Sequence, residues 1–423
     1  MTTVIKNATV VSPADGLNSV NDILIENGRI AAVGQNLSGD CEINAAGLCA
    51  VPGLVDMHVH LRDPGQTAKE DILTGCCAAA AGGVTSLLAM PNTNPTADSP
   101  ETVRYILDKA KGAKAHVYVA ASITKGLQGK EPTDLQALRD AGAVGLSDDG
   151  RPVLQTKHLR EAMNRAPELG MTVVAHCEDL SLAEGGKINE GAVSEALGVK
   201  GIPAAAEDCG TAREIALAAA DNVPVHICHV STRTSVALVR DAKRRGVKVT
   251  AETAPHYFSL TEQALMGRDA DFRMNPPLRT AADVQAIIEG LQDGTLDAIA
   301  TDHAPHTPED KADFEKAPNG SIGMETSLAV GVTYLVKPGL LSFSQLIEKM
   351  SANPARLLGI PAGTLAVGAP ADIALVDLNR EWTVDADRLH GKSKNTPFKG
   401  MTLTGKVVKT LLDGAVVFDE ALN

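Results

Sequence analysis

The chain has 423 residues, of which 44% are hydrophobic and 22% charged, as is usual for a globular enzyme. This length exceeds what one hydrophobic core usually supports, so we expect two domains. The net charge of −13 argues against nucleic acid as a partner, because phosphate contacts require clustered lysine and arginine. No run of about 18 apolar residues occurs and the start MTTVIKNATVVSPADG does not resemble a secretory signal, so we expect neither a membrane span nor export.

The seven cysteines show no CxxC pair and no spacing typical of a disulfide framework. Reduced thiols are the expected state, which favours a cytoplasmic protein.

Both ends of the chain consist of short β-rich runs separated by tight turns. An Asn-Gly pair at 27–28 and an Asp-Gly pair at 413–414 are two-residue turn signals. Neither end has enough strand to form a good core alone. We therefore expect residues 1–51 and 361–423 to meet in one small β-sandwich, with residues 52–360 inserted as a second domain.

The central region alternates short apolar runs with longer stretches of helical periodicity, which is the pattern of parallel βα units. The apolar runs are GLVDMHVH, VTSLLAM, AHVYVAAS, AVGLSD, MTVVAHC, VPVHICHV, VKVTAET and DAIATDHA. Eight such units predict an α/β fold, a (β/α)8 TIM-type barrel.

Polar side chains recur at the carboxyl ends of these runs, where barrel active sites are built. The first run ends in HVHLR, and His58 and His60 share a face because side chains two apart in a strand point the same way. The other strand ends supply Asn92, Asp148, Asp149, His176, Glu178, His229, His256, Asp302, His303 and His306.

Imidazoles and carboxylates that converge from several strands suit Zn²⁺, and a carboxylate can bridge two ions about 3.5–4 Å apart. One ion would take His58, His60 and Asp302. A second ion would take His176 and His229, with a carboxylate of the SDDG segment between the two. Mn²⁺ or Co²⁺ would fit some of the same ligands, and one or two ions per chain both stay open.

Isolated histidines are more often hydrogen-bonded than metal-bound, so we expect four of them to be structural: His116, His158, His226 and His390. His226 lies three positions before His229, so in a regular strand the two face opposite sides. The SDDG segment taken alone would be a turn signal.

A centre of this kind activates water and polarises a carbonyl, which predicts hydrolysis of an amide. Asp302 is our candidate for moving the proton to the leaving nitrogen, because a carboxylate beside the metal reaches the attacking water. Arg62 suits a substrate carboxylate held by two parallel hydrogen bonds, with a salt bridge at the barrel mouth as the alternative. Asn92 and Asn275 would add neutral donors, with turn formation beside proline as the alternative.

Seven motifs in order resemble the cyclic amidohydrolases, and most closely the bacterial type I dihydroorotases: DMHVHLRDPG, MPNTNP, LSDDG, AHCED, HICHVSTRTS, MNPPLR and ATDHAPH. The likeness covers nearly the whole chain. It implies a metal-dependent, reversible ring closure of N-carbamoyl-L-aspartate to (S)-dihydroorotate, the third step of pyrimidine synthesis.

By matching motif, the resemblance implies the metal ligands His58, His60, Asp149, His176, His229 and Asp302. Asp149 would bridge the ions, where many relatives use a carboxylated lysine, and Asp302 would also be the catalytic acid and base. The implied substrate contacts are His60, Arg62, Asn92, Asn275 and His306. Asn319 and Gly320 occupy a ring-contacting position at which such enzymes commonly carry an aromatic residue before the glycine. The preceding polar segment, TPEDKADFEKA, is expected to be a mobile lid or a solvated loop.

Two alternatives stay open. An allantoinase or hydantoinase would use the same metal chemistry, although Arg62, Asn92 and Asn275 together favour a carboxylated ring. A catalytically silent partner of aspartate transcarbamoylase would not need a complete set of ligands. The resemblance also implies a homo-oligomer and a complex with aspartate transcarbamoylase.

Overall fold

The computed structural model describes residues 2–422. Its strands are β1 (Thr2–Ser12), β2 (Leu17–Glu26), β3 (Arg29–Gly34), β4 (Cys41–Asn44), β5 (Cys49–Pro52), β6 (Leu54–Val59), β7 (Val84–Ala89), β8 (His116–Ala121), β9 (Gly145–Leu146), β10 (Thr172–Ala175), β11 (Ile188–Asn189), β12 (Gly201–Ile202), β13 (Val225–Ile227), β14 (Val249–Thr253), β15 (Ala298–Ile299), β16 (Ile373–Thr383), β17 (Thr402–Leu412) and β18 (Ala415–Asp419). Its α-helices are α1 (Ile72–Ala81), α2 (Pro100–Lys109), α3 (Leu135–Asp140), α4 (Thr156–Arg165), α5 (Leu180–Ala183), α6 (Ala192–Leu197), α7 (Ala205–Asp221), α8 (Arg233–Arg244), α9 (Pro255–Ser259), α10 (Ala281–Asp293), α11 (Pro308–Lys311), α12 (Ser327–Gly331), α13 (Phe343–Ile347) and α14 (Asn353–Leu358).

Eight parallel strands form the central sheet, in the order β15, β14, β13, β10, β9, β8, β7 and β6. The segment after β15 returns to β6, where the His60 amide donates to the His303 carbonyl oxygen at 2.8 Å. This contact brings the two edges of the sheet together into a barrel. The predicted eight-stranded barrel is therefore confirmed.

Apolar side chains from these strands fill the barrel. Val55, Met57, Leu88, Val174 and Ala298 belong to one buried cluster, and the alternation of side chains along each strand brings them together. Burial of each large aliphatic side chain contributes about 1.5–3 kcal/mol. The polar residues that follow the strands are left at the carboxyl rim.

Capping side chains set where the outer helices begin. Asp71 accepts the Thr74 amide at the start of α1, and Thr280 accepts the Asp283 amide at the start of α10. Each cap satisfies a backbone N–H that lacks a partner within the helix. Fixed helix starts in turn fix the lengths of the loops at the carboxyl rim.

The two ends of the chain meet in a second sheet, in the order β18, β17, β16, β5, β1, β2 and β3, with β4 beside β1. The predicted turns at 27–28 and 413–414 join β2 to β3 and β17 to β18. A layer built from both termini is thus confirmed. We propose domain bounds that follow this division, 1–51 with 361–423 and 52–360, of which Met1 and Asn423 lie outside the described residues.

Within residues 2–422, no helix combines the length and the apolar character that crossing a bilayer requires. Cys76, Cys177 and Cys228 are buried thiols that form no disulfide, in line with the expected reduced state.

Gly53 connects the two sheets and provides a test of this packing. Its amide donates to the Asp372 carbonyl oxygen at 2.8 Å, and a Cβ atom here would lie 2.0 Å from Thr85 Oγ1. We predict that Gly53→Ala lowers the free energy of unfolding by about 1–3 kcal/mol, because neither β6, which follows Gly53, nor β7, which holds Thr85, can move aside. Urea denaturation followed by circular dichroism measures the loss.

Gly34→Ala is the control, since a Cβ atom at Gly34 meets nothing within 4 Å. We expect this change to stay within about 0.5 kcal/mol of the parent chain. Equal losses for the two variants would contradict the packing described for Gly53.

Candidate metal centre

Four imidazoles and two carboxylates converge at the carboxyl rim of the barrel. They belong to His58, His60, Asp149, His176, His229 and Asp302, and each follows or ends a different strand except the first two, which share β6. All six side chains are buried, and the most exposed residue, Asp302, is only 8% accessible. The side chains that the sequence predicted as ligands are therefore brought together.

The first group surrounds one point. His58 Nε2 lies 3.2 Å from Asp149 Oδ1 and 3.6 Å from Asp302 Oδ1, and His60 Nε2 lies 3.2 Å from Asp302 Oδ1. Atoms bound to Zn²⁺ at about 2.0–2.2 Å in tetrahedral geometry are separated by similar distances. The spacing suits a single cation.

The second group shares a carboxylate with the first. Asp149 Oδ1 lies 3.5 Å from His176 Nδ1 and 3.8 Å from His229 Nε2, and these two nitrogens are 2.9 Å apart. Asp149 therefore faces both groups, which is the placement that a bridging carboxylate needs.

The neighbouring Asp148 has a different environment. Its carboxylate accepts the Ser122 hydroxyl at 2.8 Å, the Ile123 amide at 2.7 Å and the Thr124 amide at 3.0 Å, and it also accepts the Thr124 hydroxyl. Asp148 thus holds the loop after β8 against the loop after β9. Of the two aspartates in SDDG, Asp149 is the one directed at the histidines.

Unusual backbone angles aim three of the side chains. His229, Asp302 and Arg62 have φ values of 36°, 50° and 59°, in the left-handed region that costs a non-glycine residue about 1–3 kcal/mol. Such angles persist only where the surrounding contacts fix them, and they are concentrated at functional sites. The turn at His229 directs its ring to the rim after β13 has ended.

The donors fit a cation. Burial opposes ionisation of Asp149, yet the His58, His176 and His229 imidazoles hold the pKa of Asp149 well below its usual range. Within the described part of the chain, neither ring nitrogen of His58 has a well-aligned hydrogen-bond partner. Buried anions beside unsatisfied imidazoles are unfavourable without a compensating positive charge, and nitrogen and oxygen donors of this kind suit a zinc-type ion.

Asn92 supports the first group. Its side-chain oxygen accepts His60 Nδ1–H at 2.8 Å, and its Nδ2 donates to Asp149 Oδ2 at 3.2 Å. The first contact fixes the tautomer of His60 so that Nε2 keeps its lone pair for the centre.

Glu178 supports His176 in the second group as Asn92 supports His60 in the first. The sequence did not predict this role. Its carboxylate accepts His176 Nε2–H at 3.3 Å and the Asn275 Nδ2 donor at 3.1 Å. The position of Glu178 two residues after a ligand histidine, on the same strand end, was the available signal.

Arg62 is a buried cation at the edge of the centre. It donates from Nε to the Pro305 carbonyl oxygen at 3.2 Å, and its Nη2 lies 3.4 Å from His306 Nε2. Burial lowers the pKa of Arg62 to about 10, so the guanidinium stays charged at neutral pH. The two nearby carboxylates that could form a salt bridge with Arg62 have other partners: Asp63 accepts Lys109 Nζ at 2.6 Å and Glu70 accepts the Lys392 amide at 3.1 Å, which leaves Arg62 for an anionic ligand.

His306, Asn319 and Gly320 form a connected segment. His306 Nε2–H donates to the Asn319 carbonyl oxygen at 2.9 Å, and Arg273 Nη2 donates to Asn319 Oδ1 at 3.2 Å. A Cβ atom at Gly320, where φ is +138°, would lie 2.8 Å from the Ala304 carbonyl oxygen. Contact of these three residues with substrate stays a prediction.

The loop at 307–318, expected to be mobile or solvated, is held by the side chain of its own Lys311. Lys311 Nζ donates to the carbonyl oxygens of Ala270 at 2.9 Å, Arg273 at 3.2 Å and Pro318 at 3.0 Å. Burial lowers the pKa of Lys311 to about 8. Opening of this loop would require the contacts to Ala270 and Arg273 to break together, whereas the Pro318 contact lies within the loop.

The remaining histidines at strand ends have other surroundings. Burial lowers the pKa of His256 to about 4 and that of His303 to about 3, and His303 Nδ1 accepts the Gly323 amide at 3.2 Å. His116, His158 and His390 each lie beside a carboxylate outside the six-residue group, and their structural roles stay predictions.

Known proteins resemble this chain over nearly its whole length. Residues 49–417 match the model of the amidohydrolase family. The chain is 50% identical to a dihydroorotase of Acetivibrio thermocellus over 421 residues, which cover 98% of this chain and 99% of that protein. It is also 50% identical over 423 residues to a dihydroorotase of Geobacter sp. strain M21, with 99% of each chain covered.

Solved structures with the same fold include an L-hydantoinase (dihydropyrimidinase) and a dihydropyrimidinase. The L-hydantoinase (dihydropyrimidinase) of Arthrobacter aurescens superposes with a TM-score of 0.89 at 28% identity, covering 99% of this chain and 96% of that chain. The dihydropyrimidinase of Brevibacillus agri NCHU1002 gives a TM-score of 0.85 at 27% identity, with 99% and 95% covered.

The two neighbouring aspartates provide a matched test of the centre. We predict that Asp149→Asn weakens zinc binding by more than tenfold, a loss typical even of groups that only support a ligand. Asp148→Asn should keep the zinc affinity and lower the melting temperature, because its carboxylate holds two loops together. Chelator competition and thermal melting distinguish these outcomes, and equal loss of zinc from both variants would contradict the assignment.

Proposed function

The chain belongs to the amidohydrolase family, and on that premise we propose that it is a zinc-dependent dihydroorotase. It would interconvert N-carbamoyl-L-aspartate with (S)-dihydroorotate and water, in the third step of pyrimidine synthesis. The observation that carries this proposal is 50% identity to proteins named dihydroorotase over essentially the whole of both chains. The buried group of six donors supports it independently.

We propose that His58, His60 and Asp302 hold one zinc ion and that His176 and His229 hold another. Asp149 would bind both, because its Oδ1 faces nitrogen atoms of each group. When bound, zinc supplies activation of water and polarisation of the amide carbonyl. Zinc is favoured over harder cations because four of the six donors are imidazoles.

Asp302 is the proposed acid and base. Its Oδ1 lies 3.2 Å from His60 Nε2, and although burial opposes ionisation, His60 and His58 keep the pKa of Asp302 well below its usual range. In ring opening the carboxylate accepts a proton from the attacking water. It returns that proton to the ring nitrogen as the carbon–nitrogen bond breaks, and cyclisation follows the same steps in reverse.

Arg62 is the proposed anchor for the substrate carboxylate. It is buried and charged, and its planar fork can donate two parallel hydrogen bonds to a carboxylate. Asn92 and Asn275 are proposed to add amide donors, and His60, His306, Asn319 and Gly320 to complete the surroundings of the ring. An anchored ring would bring its amide carbonyl to a fixed place beside Asp302.

A hydantoinase is the second candidate, because solved structures with the same fold carry that name. Identity of 50% to the dihydroorotases against 28% to the L-hydantoinase favours the first proposal, as does the buried Arg62. A silent partner of aspartate transcarbamoylase is less favoured, because the ligands and Asp302 are all in place.

We also propose a cytoplasmic location, supported by the buried thiols. The homo-oligomer and the complex with aspartate transcarbamoylase stay predictions that rest on the family resemblance.

Asp302→Asn tests the proton transfer. We predict that kcat for ring opening of (S)-dihydroorotate falls at least about a hundredfold, because the carboxamide cannot accept a proton from water. Loss of ring absorbance in the ultraviolet measures turnover, and circular dichroism checks the fold. Asp241→Asn is the control, since Asp241 pairs with Arg244 at 2.7 Å on the outer helix α8, and its turnover should match that of the parent chain. Near-normal turnover by the Asp302 variant would refute the role.

Arg62→Met tests the substrate class. The loss of even one charged hydrogen bond, about 1.5–3 kcal/mol, should lower kcat/KM for (S)-dihydroorotate at least about 10- to 150-fold. The zinc content should stay unchanged. A parent enzyme that opens hydantoin faster than (S)-dihydroorotate, with Arg62→Met retaining that activity, would favour the hydantoinase instead.

A further inference from the structure

A carboxylate lies one layer deeper in the barrel than the six donors. Glu252 is on β14 and only 1% accessible. Its Oε1 lies 3.4 Å from His58 Nδ1, and its Oε2 lies 3.3 Å from His226 Nε2. The far side of the ligand imidazole His58 thus faces a buried acid.

Packing alone does not explain the buried Glu252 carboxylate, because its burial is unfavourable. Among residues 2–422, no well-aligned hydrogen bond reaches either carboxylate oxygen of Glu252. An acid enclosed in a barrel is expensive to bury, and an apolar residue of similar volume is often at least as stable. The contacts with the His58 and His226 imidazoles therefore best explain why an acid is buried at this position.

The contacts continue beyond His226 to Thr250, and they indicate which ring nitrogens of His226 and His58 carry a proton. His226 Nδ1 lies 2.9 Å from Thr250 Oγ1, so that the hydroxyl can donate to Nδ1 and leave the proton of His226 on Nε2, 3.3 Å from Glu252 Oε2. The other carboxylate oxygen is then left to accept Nδ1–H of His58. That tautomer leaves the lone pair of His58 Nε2 on the side of Asp149, 3.2 Å away.

We propose that Glu252 is the positioning residue for His58 in the metal centre, held in turn by His226 and Thr250. It fixes the tautomer and the ring orientation of His58 and places a negative charge one imidazole away from the bound cation. The proposal rests on the proposed function in one respect, that His58 is a metal ligand.

The other ligand histidines have different supports. His60 is held by the neutral amide of Asn92, and His176 by Glu178, which lies at the rim. The partner of His58 is a carboxylate enclosed within the barrel, where a charge acts through a lower dielectric than at the rim. Loss of Glu252 should therefore weaken the first zinc site selectively.

Glu252→Gln tests this directly. We expect zinc affinity at the first site to fall 10- to 100-fold, with the second site, formed by His176 and His229, unchanged. Chelator competition measures both affinities, and the visible absorption of the cobalt-substituted chain reports the altered geometry. Glu70→Gln is the control, because Glu70 is equally buried but contacts Thr74 and the Lys392 amide, so its loss should leave both affinities unchanged.

A milder variant covers the case in which Glu252→Gln does not fold. Thr250→Val removes one hydroxyl that orients His226, and we expect first-site affinity to fall about 2- to 10-fold. Zinc affinities within twofold of the parent in whichever variants fold would overturn the proposal. A third zinc ion in the parent that disappears in Glu252→Gln would also overturn it, in favour of a direct ligand role.

The proposed function can fail separately. A parent chain that binds zinc and shows the predicted affinity loss, yet does not open (S)-dihydroorotate, would refute the reaction and leave the positioning role intact. A parent chain that turns over substrate but shows no affinity loss in the variants would refute the positioning role alone.

Discussion

The central constraint is electrostatic: Asp149 and Asp302 are buried together and held as anions by imidazoles. Neither carboxylate could stay ionised in this enclosed place without positive charge beside it. A bound metal ion would supply that charge, and the barrel supplies the geometry, because parallel strands bring all their carboxyl ends to one rim. The left-handed backbone at His229 and Asp302 completes the convergence at a cost that the remaining contacts offset.

The supports of the centre follow one rule. Three of the candidate ligand imidazoles have one nitrogen beside a supporting side chain and the other directed at the centre: Asn92 lies beside His60, Glu178 beside His176 and Glu252 beside His58. A ring held in one tautomer loses less freedom when it binds a cation. The partners come from strand ends and from the barrel interior, so the fold that positions the ligands also positions their supports.

Much of this could be predicted from the sequence, because hydrophobic periodicity locates strands and the barrel places strand ends together. The choice between Asp148 and Asp149 could not, since adjacent residues in a turn are separated only by its backbone angles. Strand alternation separates His226 from His229 in the sequence, but it could not show that His226 meets Glu252 from the next strand. The anchoring of the 307–318 loop by Lys311 likewise depends on carbonyl groups distant in sequence.

Metal dependence of the reaction is tested most directly by a zinc titration of metal-free protein. Ring opening of (S)-dihydroorotate and bound metal are determined on the same samples. If ring opening depends on bound zinc, turnover should be negligible without metal and should rise to a plateau at about one to two zinc ions per chain. Full turnover in metal-free protein would contradict it. So would a fully zinc-loaded chain that leaves (S)-dihydroorotate unchanged.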